Sequence, residues 1–552
     1  MATTIQRIVI LGLDGATWTV LDPMRRRGLM PNLDALLARA AHGTLRSTIP
    51  PVTSAAWSTM MTGCSPARHG VFDHRHYDAA AGQMKVNHSA RLRVPTVWHL
   101  LSDAGRSVVS LNLPVTYPPL AVRGIVVSGM DAPHLEAALS GAPAFAARLR
   151  AEVPGYHLRV LWKRPPRDLA ELTEASRQTA EVFRARAEAA ILADEMQPDW
   201  SALMVQFQNL DPFQHRAWRH LNVDETGIDD PALNAAAGAT MRGLDDAIGR
   251  LRELADRRGA AVLVVSDHGF GPCLGRIHVN RILVEAGVAR LPGLAGKVKR
   301  RAGQARESLR LWGAKRVDPN ARSASFATSV AAQFPFDWKR TLAFAPHQDT
   351  AAMVYLNSRD RHAGAHAPLT TPRQVDDARN AAASALSEAR HAETGQPLFT
   401  RIVHAAEAYG IDPAREGYPD LIALPDEPYW VRTKLAPGTC WVEPDPNLPG
   451  THRPEGIVAL CAPGVAPGRT VRADLQDVTP TILSLFGLPI PPHVEGRPLA
   501  CVPQDLDQAQ PPPPRFDPAA DPLAGPHSPP FEYTPEEQAI IEQRLADLGY
   551  LE

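Results

Sequence analysis

The sequence has few cysteines, and their spacing suggests no pairing. Its 552 residues contain five, at positions 64, 273, 440, 461 and 501. This odd number without short paired spacings is typical of neither a disulfide framework nor a zinc-binding knuckle. We therefore expect free thiols in a reducing compartment, and we predict a cytoplasmic location.

Long apolar runs and an excess of charge of either sign are also missing. No apolar run approaches the ~18 residues that a transmembrane helix needs, and the run Ile8–Leu13 is too short for the core of a signal peptide. The formal net charge is −1, so nothing global attracts the chain to nucleic acid or to an anionic membrane. We expect a soluble globular protein with no membrane span and no nucleic-acid partner. The oligomeric state is left open.

Short β-branched runs alternate with helical patterns from the start of the chain to about residue 285, which predicts parallel βαβ units and an α/β fold. Strands are predicted at Ile8–Leu13, Ser107–Asn112, Gly124–Ser128, Ala202–Phe207 and Ala260–Val265, and later at Ala352–Leu356, Leu421–Ala423 and Gly456–Leu460. Helices are predicted at Asn32–Ala41, Thr96–Ala104, Leu169–Met196, Asp230–Arg257, Val478–Phe486 and Pro535–Leu548.

The composition changes along the chain predict four segments. Residues 1–274 and 346–501 form the two parts of the catalytic core, and residues 275–345 form an inserted cap. Within the cap, residues 297–316 are strongly basic; they form either a surface that attracts an anionic substrate or a solvated helix. Residues 502–552 are predicted to be a proline-rich linker and a helix that packs back on the core.

Acidic and imidazole side chains follow several of the predicted strands. These residues are Asp14, Asp211, His215, Asp267, His268 and His452. Because open α/β sheets build their ligand sites at the carboxyl ends of their strands, we expect the six side chains to lie together. A mixture of carboxylates and imidazoles is suited to divalent metals, and two such ions can activate a nucleophile and stabilise a leaving oxygen. The pattern, with Thr53 in a small-residue turn, predicts a two-metal hydrolase site.

Eight motifs sharpen this hypothesis. They are LGLDG (11–15), PPVT (50–53) continuing through residue 57 to TG (62–63) and HG (69–70), NLPVTYPP (112–119), LDPFQH (210–215), SDHGFG (266–271), GTHRPEG (450–456), DVTPT (477–481) and LGYL (548–551). In order and spacing the sequence resembles the alkaline phosphatase superfamily over most of residues 5–500. The closest likeness is to the type I phosphodiesterase/nucleotide pyrophosphatase branch, including bacterial predicted phosphohydrolases and phosphomutases.

The resemblance implies a fold, a chemistry and roles for individual residues. It implies a mostly parallel central sheet with helices on both faces and an inserted cap. It implies that Thr53 is the nucleophile and also a metal ligand, forming a covalent phosphothreonine that is then hydrolysed. The implied ligands are Asp14, Asp267 and His268 for one metal and Asp211, His215 and His452 for the other. Two Zn²⁺ ions are expected, with Mn²⁺ as the alternative. The expected substrate is a small phosphodiester or a nucleotide-like molecule.

Three departures from the family pattern bear on specificity. His74 stands where nucleotide pyrophosphatases place a phosphoryl-binding Asn, so it is predicted to contact substrate, with a solvated loop histidine as the alternative. Cys64 lies in a pattern that sulfatases use to make formylglycine, but Thr53 holds the nucleophile position. Ser54 follows Thr53 where alkaline phosphatases proper have a phosphate-binding arginine nearby. The missing guanidinium favours diesters over dianionic monoesters.

Two other functions remain open. The first is a phosphomutase or a phosphomonoesterase of the same superfamily. Such mutases typically have a Ser nucleophile and a larger insertion than the stretch between Thr53 and Asp211. The second is a non-catalytic phosphoryl-binding protein, which the complete set of predicted ligands argues against.

Overall fold

The computed structural model describes residues 4–158, 162–221, 230–293, 330–347, 349–362, 367–425, 429–435, 441–444, 447–503, 531–548 and 550–551. The basic segment 297–316 and most of the proline-rich linker lie outside the described residues. Among the helices in these ranges, none is long and apolar enough to cross a lipid bilayer.

Helices and strands alternate along the described chain. The strands are β1 (Ile8–Leu13), β2 (Ala41–Arg46), β3 (Arg75–Asp78), β4 (Gln83–Val86), β5 (Ser107–Leu111), β6 (Gly124–Val127), β7 (Trp200–Phe207), β8 (Ala261–Val265), β9 (Gly269–Pro272), β10 (Gly275–His278), β11 (Ala343–Phe344), β12 (Ala352–Leu356), β13 (Phe399–His404), β14 (Leu421–Pro425), β15 (Tyr429–Arg432), β16 (Val442–Glu443), β17 (Gly450–Arg453), β18 (Glu455–Cys461) and β19 (Thr470–Asp474). The α-helices are Trp18–Arg26, Pro31–Leu37, Thr53–Thr62, Pro66–His69, Val97–Asp103, Leu135–Ala138, Pro143–Glu152, Leu169–Met196, Leu210–Leu221, Pro231–Arg258, Val279–Glu285, Val330–Gln333, Pro372–Glu388, Ala405–Tyr409, Pro413–Glu416, Val478–Leu485 and Pro535–Leu548.

An eight-stranded sheet forms the centre of the molecule, in the order β19-β2-β18-β8-β1-β7-β5-β6. Neighbouring strands are parallel except at β18, which runs antiparallel to both β2 and β8. The prediction of an α/β fold with a mostly parallel central sheet is confirmed. The parallel strands are almost entirely apolar because both faces of the sheet are covered.

Side chains of β1 alternate between two hydrophobic clusters, one on each face of the sheet. Val9 and Leu11 face a cluster that includes the long helices Leu169–Met196 and Pro231–Arg258. Ile8 and Ile10 face a second cluster with the helices Thr53–Thr62 and Val478–Leu485. The helix that begins at Thr53 is therefore fixed against the sheet by its own apolar residues, which holds its first turn at one edge of the sheet.

The strand register brings the predicted ligands to that edge. Leu13 of β1 pairs with Phe207 of β7, and Gly12 pairs with Val265 of β8, so the three strands end level with one another. Strand β18 runs the opposite way, so its beginning lies at the same edge. His452 is in β17 just before β18, and it pairs with Phe270 of β9.

Strands β10 to β16 form a second, smaller unit, hereafter called the cap. It has an antiparallel sheet in the order β11-β12-β14-β13 and a three-stranded sheet in the order β15-β10-β16, and its hydrophobic cluster also includes Phe72, Tyr77 and Met84 from the N-terminal part of the chain. Residues 346–501 were predicted to belong to the core, with the inserted cap ending at residue 345. Strands β12 and β14 lie beyond that position, and they pair in the smaller sheet and not in the central one. A strand's apolar pattern specifies burial, but it does not specify in which sheet the strand is buried.

The helix Pro535–Leu548 packs on the body of the molecule. Ile541, Leu545 and Leu548 form a small hydrophobic cluster together with Trp430 of the cap and Val86 of β4. The C-terminal segment therefore lies where core and cap meet, and it brings Tyr550 close to the predicted metal ligands.

Candidate metal centre

The helix Thr53–Thr62 begins with a first turn that no side chain caps. Its N-cap residue is Val52, and its side chain makes no capping hydrogen bond. The unpaired N–H groups and the dipole of a helix N-terminus favour a bound anion such as a phosphoryl group. Thr53 is buried there, and its Oγ1 lies 3.3 Å from Nε2 of His268. The predicted nucleophile is thus beside a predicted metal ligand.

Three buried aspartates share one pattern of contacts. In Asp14, Oδ2 accepts hydrogen bonds from Trp57 Nε1 and Gln206 Nε2. In Asp267, Oδ1 accepts the backbone N–H of Gly15, whose φ of +69° favours glycine.

The third aspartate, Asp211, accepts the phenol of Tyr550 on Oδ2 at 2.6 Å. The other oxygen of each carboxylate, Asp14 Oδ1, Asp267 Oδ2 and Asp211 Oδ1, is buried without a hydrogen-bond partner. Each aspartate therefore has one oxygen held by donors and one left facing the centre.

The three histidines are oriented in the same way. Their Nδ1 atoms contact backbone carbonyl oxygens: His215 that of Gly450, His268 that of Gly269 and His452 that of Pro51. A carbonyl can only accept a hydrogen bond, so each Nδ1 carries a proton and each Nε2 is directed at the centre. This is the arrangement in which a second contact orients a metal-ligating histidine.

The free atoms of the six side chains converge in two groups. In the first group, His268 Nε2 lies 3.2 Å from Asp267 Oδ2 and 3.6 Å from Asp14 Oδ1. In the second, His452 Nε2 lies 3.1 Å from Asp211 Oδ1 and 3.1 Å from His215 Nε2. The rings of His268 and His452 stack with centroids 3.6 Å apart, which joins the two groups. Each group offers enough convergent atoms to hold one divalent ion.

The charges of this buried centre also fit metal binding. Burial and the nearby Asp267 raise the pKa of Asp14 well above its usual value, and burial raises the pKa of Asp267 to about 7. Burial lowers the pKa of His268 well below its usual value and that of His215 to about 3, so both imidazoles are neutral at neutral pH. Neutral imidazoles beside crowded carboxylates are the donor set that a divalent cation stabilises.

The likeness to known proteins extends over most of the chain. The model of the family described as type I phosphodiesterase/nucleotide pyrophosphatase matches residues 8–454. The chain belongs to this family. The family is metal-dependent and is part of the alkaline phosphatase superfamily, so this type I phosphodiesterase family member is a phosphoester hydrolase. No protein in the set of curated sequences matches it.

Solved structures share the architecture at low sequence identity. The phosphonoacetate hydrolase of Sinorhizobium meliloti 1021, solved with phosphonoformate, is 17% identical, with a TM-score of 0.51 over 87% of this chain and 95% of that one. Murine ectonucleotide pyrophosphatase/phosphodiesterase 5, in an inactive form with AMP, is 11% identical, with a TM-score of 0.48 over 89% of this chain and 97% of that one. The hydrolase shows that the family member has an alkaline phosphatase-like fold.

Two residues that depart from the family pattern, Cys64 and His74, lie at different distances from the predicted metal ligands. Cys64 follows the far end of the ten-residue helix that begins at Thr53, roughly 15 Å away. There it is buried and donates to the carbonyl oxygen of His493, so it does not adjoin the metal ligands. His74 lies next to the centre, with Nδ1 2.7 Å from Ser54 Oγ and its ring stacked on Tyr550.

The contacts that orient the aspartates were not predicted from the sequence. Gln206 carried a usable signal, because it is a polar residue within the otherwise apolar run that forms β7. Tyr550 is in the recognised LGYL motif, but the motif does not reveal which residue its side chain meets.

Proposed function

We propose that this protein is a two-metal phosphodiesterase of the nucleotide pyrophosphatase type, with Thr53 as its nucleophile. The observation that carries the proposal is the position of Thr53 Oγ1. It lies at an uncapped helix N-terminus and 3.3 Å from His268 Nε2, beside six side chains whose free atoms converge.

Each group of ligands would hold one ion. Asp14, Asp267, His268 and Thr53 would hold the first, and Asp211, His215 and His452 the second; three imidazoles among the donors favour Zn²⁺, with Mn²⁺ as the alternative. When bound, the two cations supply charge stabilisation for the attacking and the leaving oxygens.

The residues of the chain then define a two-step reaction. The first turn of the helix Thr53–Thr62 binds the phosphoryl oxygens through its N–H groups. The Oγ–P bond of Thr53 forms as the bond from phosphorus to the leaving alkoxide breaks, which gives a phosphothreonine ester. Water then attacks phosphorus, breaks the Oγ–P bond and releases a phosphomonoester.

We favour a diester over a monoester because the position after Thr53 is neutral. Ser54 stands there, and its hydroxyl contacts Nδ1 of His74. A monoester carries a second negative charge, which an arginine at this position would have paired. A small phosphodiester or nucleotide-like molecule is therefore the proposed substrate.

We also propose a reducing compartment such as the cytoplasm. The four cysteines that the structure describes, Cys64, Cys273, Cys461 and Cys501, are all free thiols. Free thiols, two of them buried, support this location.

A substrate panel tests the proposed reaction. The chelator-stripped and zinc-reloaded protein is assayed with bis-p-nitrophenyl phosphate, p-nitrophenyl phosphate and phosphonoacetate. We expect the diester to have the highest kcat/KM. Preference for p-nitrophenyl phosphate would indicate a phosphatase or a mutase, and preference for phosphonoacetate a carbon–phosphorus hydrolase. Turnover of none of the three by the two-metal protein would contradict a general diesterase.

Variants of one helix test the nucleophile. Thr53→Ala should lower diester kcat by about 10³-fold or more, because the covalent route is lost. Thr53→Ser should keep part of the activity. Thr62→Ala is the matched control, since Thr62 is at the other end of the same helix and donates to the Ser58 carbonyl. Acid quenching during turnover should give an adduct on wild type and Thr62→Ala but not on Thr53→Ala. An adduct on Thr53→Ala would rule out the assignment.

A further inference from the structure

A third group of buried ligand atoms lies beside the catalytic centre, on the side of the cap. It consists of Asp73, His74 and Asp349, hereafter the cap-side cluster, and one ligand atom from each lies within 4.8 Å of the others. All three side chains are buried. None of them belongs to the two catalytic groups.

The cap-side cluster repeats the contact pattern of the catalytic ligands. Asp349 Oδ1 accepts the backbone N–H of Thr350 at 2.6 Å, and Asp349 Oδ2 is buried without a partner. His74 contacts Ser54 through Nδ1, and its Nε2 is buried without a partner. In both side chains one atom is anchored and the other is free, as in Asp267 and His268.

Asp73 is fixed more firmly than the other two. Its Oδ1 accepts the backbone N–H of His74, and its Oδ2 contacts Nδ1 of His347. The far nitrogen of His347 lies 2.9 Å from the phenol of Tyr355. Each carboxylate oxygen has two lone pairs, so each can still accept a cation. The result is a carboxylate whose position is set by a second layer of residues, which is typical of metal ligands.

The two carboxylates are close enough to repel each other. Burial and the charge of Asp73 raise the pKa of Asp349 to about 7. Burial lowers the pKa of His74 to about 4, so its imidazole is neutral at neutral pH. A neutral imidazole does not compensate the charge of a neighbouring carboxylate, whereas a bound cation does.

We propose that Asp73, His74 and Asp349 bind a third divalent cation. Two carboxylates and one imidazole suit a hard or borderline ion such as Mn²⁺ or Zn²⁺. Asp349 is in the cap, where its backbone forms an isolated β-bridge with Val431 of β15, whereas Asp73 and His74 follow the short helix Pro66–His69. The third ion therefore joins the cap strands to a segment from the N-terminal part of the chain. In this proposal His74 Nε2 binds the cation, whereas the sequence predicted that His74 contacts the substrate.

Metal counting on the full chain tests the proposal. The protein is stripped with a chelator, dialysed against Mn²⁺ alone or Zn²⁺ alone, and analysed for metal per chain by mass spectrometry. Wild type should bind three equivalents and Asp349→Asn two. Asp131→Asn is the matched control and should bind three, since Asp131 is also buried but its oxygens accept backbone N–H groups. If Asp349→Asn does not fold, His74→Phe replaces it, because it keeps the ring that stacks on Tyr550 and removes Nε2.

The location of the ion gives an independent result. Crystals grown with Mn²⁺ should give a third anomalous peak about 2.0–2.6 Å from atoms of Asp73, His74 and Asp349. Two equivalents in wild type and no third peak would overturn the proposal, and the buried carboxylate would then pair with a proton or with a cationic substrate. The proposed function would still stand in that case, because Asp211→Asn reports separately on the catalytic pair by lowering the count from two to one.

Discussion

Tyr550 donates its phenol hydrogen bond to Asp211 Oδ2 at 2.6 Å, although 339 positions separate the two residues. Burial raises the pKa of Tyr550 well above its usual value, so the phenol remains a donor at neutral pH. The bond holds one oxygen of Asp211, and the other oxygen stays directed at His215 and His452. A residue from the C-terminal segment thus orients a ligand of the proposed second metal.

Removal of this hydroxyl should weaken catalysis while leaving the fold intact. Tyr550→Phe keeps the stack on His74 but leaves Asp211 free to turn. We expect kcat/KM for a diester to fall by about one to two powers of ten, the range for a hydrogen bond to a charged group. Tyr533→Phe is the matched control. Tyr533 is in the same C-terminal segment as Tyr550, but its hydroxyl donates to the backbone carbonyl of Asp131. An unchanged rate in Tyr550→Phe, or an equal loss in both variants, would show that the bond has no specific role.

Gln206 should matter through metal affinity. It donates to Asp14 from the end of β7, together with Trp57. Gln206→Leu removes one of these donors, and loss of such a supporting contact typically weakens metal binding about 10- to 100-fold. Gln208→Leu is the control, because the Gln208 amide contacts Met130 Sδ. Competition with a chromogenic chelator measures the affinity; equal affinities in the two variants would contradict the prediction.

Metal removal should lower the stability of the folded chain. The carboxylates of Asp14, Asp267 and Asp211 are buried together, so they repel one another without a cation. A ligand at about 1,000 times its Kd adds about 4 kcal/mol of apparent stability. We therefore expect the thermal midpoint to fall on chelation and to recover on addition of Zn²⁺. The double variant Asp14→Asn, Asp267→Asn should respond much less to chelation, and a full response in that variant would contradict this account.

His69 should make the protein sensitive to acid. Its Nδ1 accepts the backbone N–H of Val71, and its Nε2 contacts the hydroxyl of Thr59, so a second proton would break the bond to Val71. Burial lowers the pKa of His69 to about 3. Unfolded chains bind this proton near pH 6.5. Its contribution is thus fully present above about pH 6.5 and is lost as pH falls toward 3, at roughly 1 kcal/mol per pH unit.

His69→Asn keeps an acceptor for Val71 and removes the titration. The free energy of unfolding of wild type, measured with urea between pH 7 and 4.5, should therefore fall more steeply than that of the variant. His134→Asn, at an exposed position, should follow wild type. Parallel curves for wild type and His69→Asn would show that His69 does not titrate in this way.

The fold was predictable where a segment's own pattern decides its structure. The helices Leu169–Met196 and Pro535–Leu548 were predicted to the residue, because periodicity and capping are local. Strand β2 was missed: its sequence, AHGTLR, has no β-branched alternation, and it is ordered by pairing with β18 and β19. Non-local pairing of this kind leaves little trace in one strand's sequence.

The candidate site was predictable to a similar extent and for a similar reason. The six predicted ligands and Thr53 come together because the segments that hold them adjoin strand ends at one edge of the central sheet. The residues that orient them were not predictable, since Tyr550 and Gln206 are recognisable only from contacts across the fold. Asp349 was not predicted either, because only the fold brings it near Asp73 and His74.

The cap leaves the core after β9 and returns to it at β17, and these two strands pair with each other through Phe270 and His452. The inserted segment between β9 and β17 therefore begins and ends at the same place in the fold. Insertions, deletions or even exchange of the intervening chain need not displace His452, which lies within that pairing, or His268, which directly precedes it. The inserted segment can thus vary in sequence and length while the metal ligands and Thr53 keep their positions.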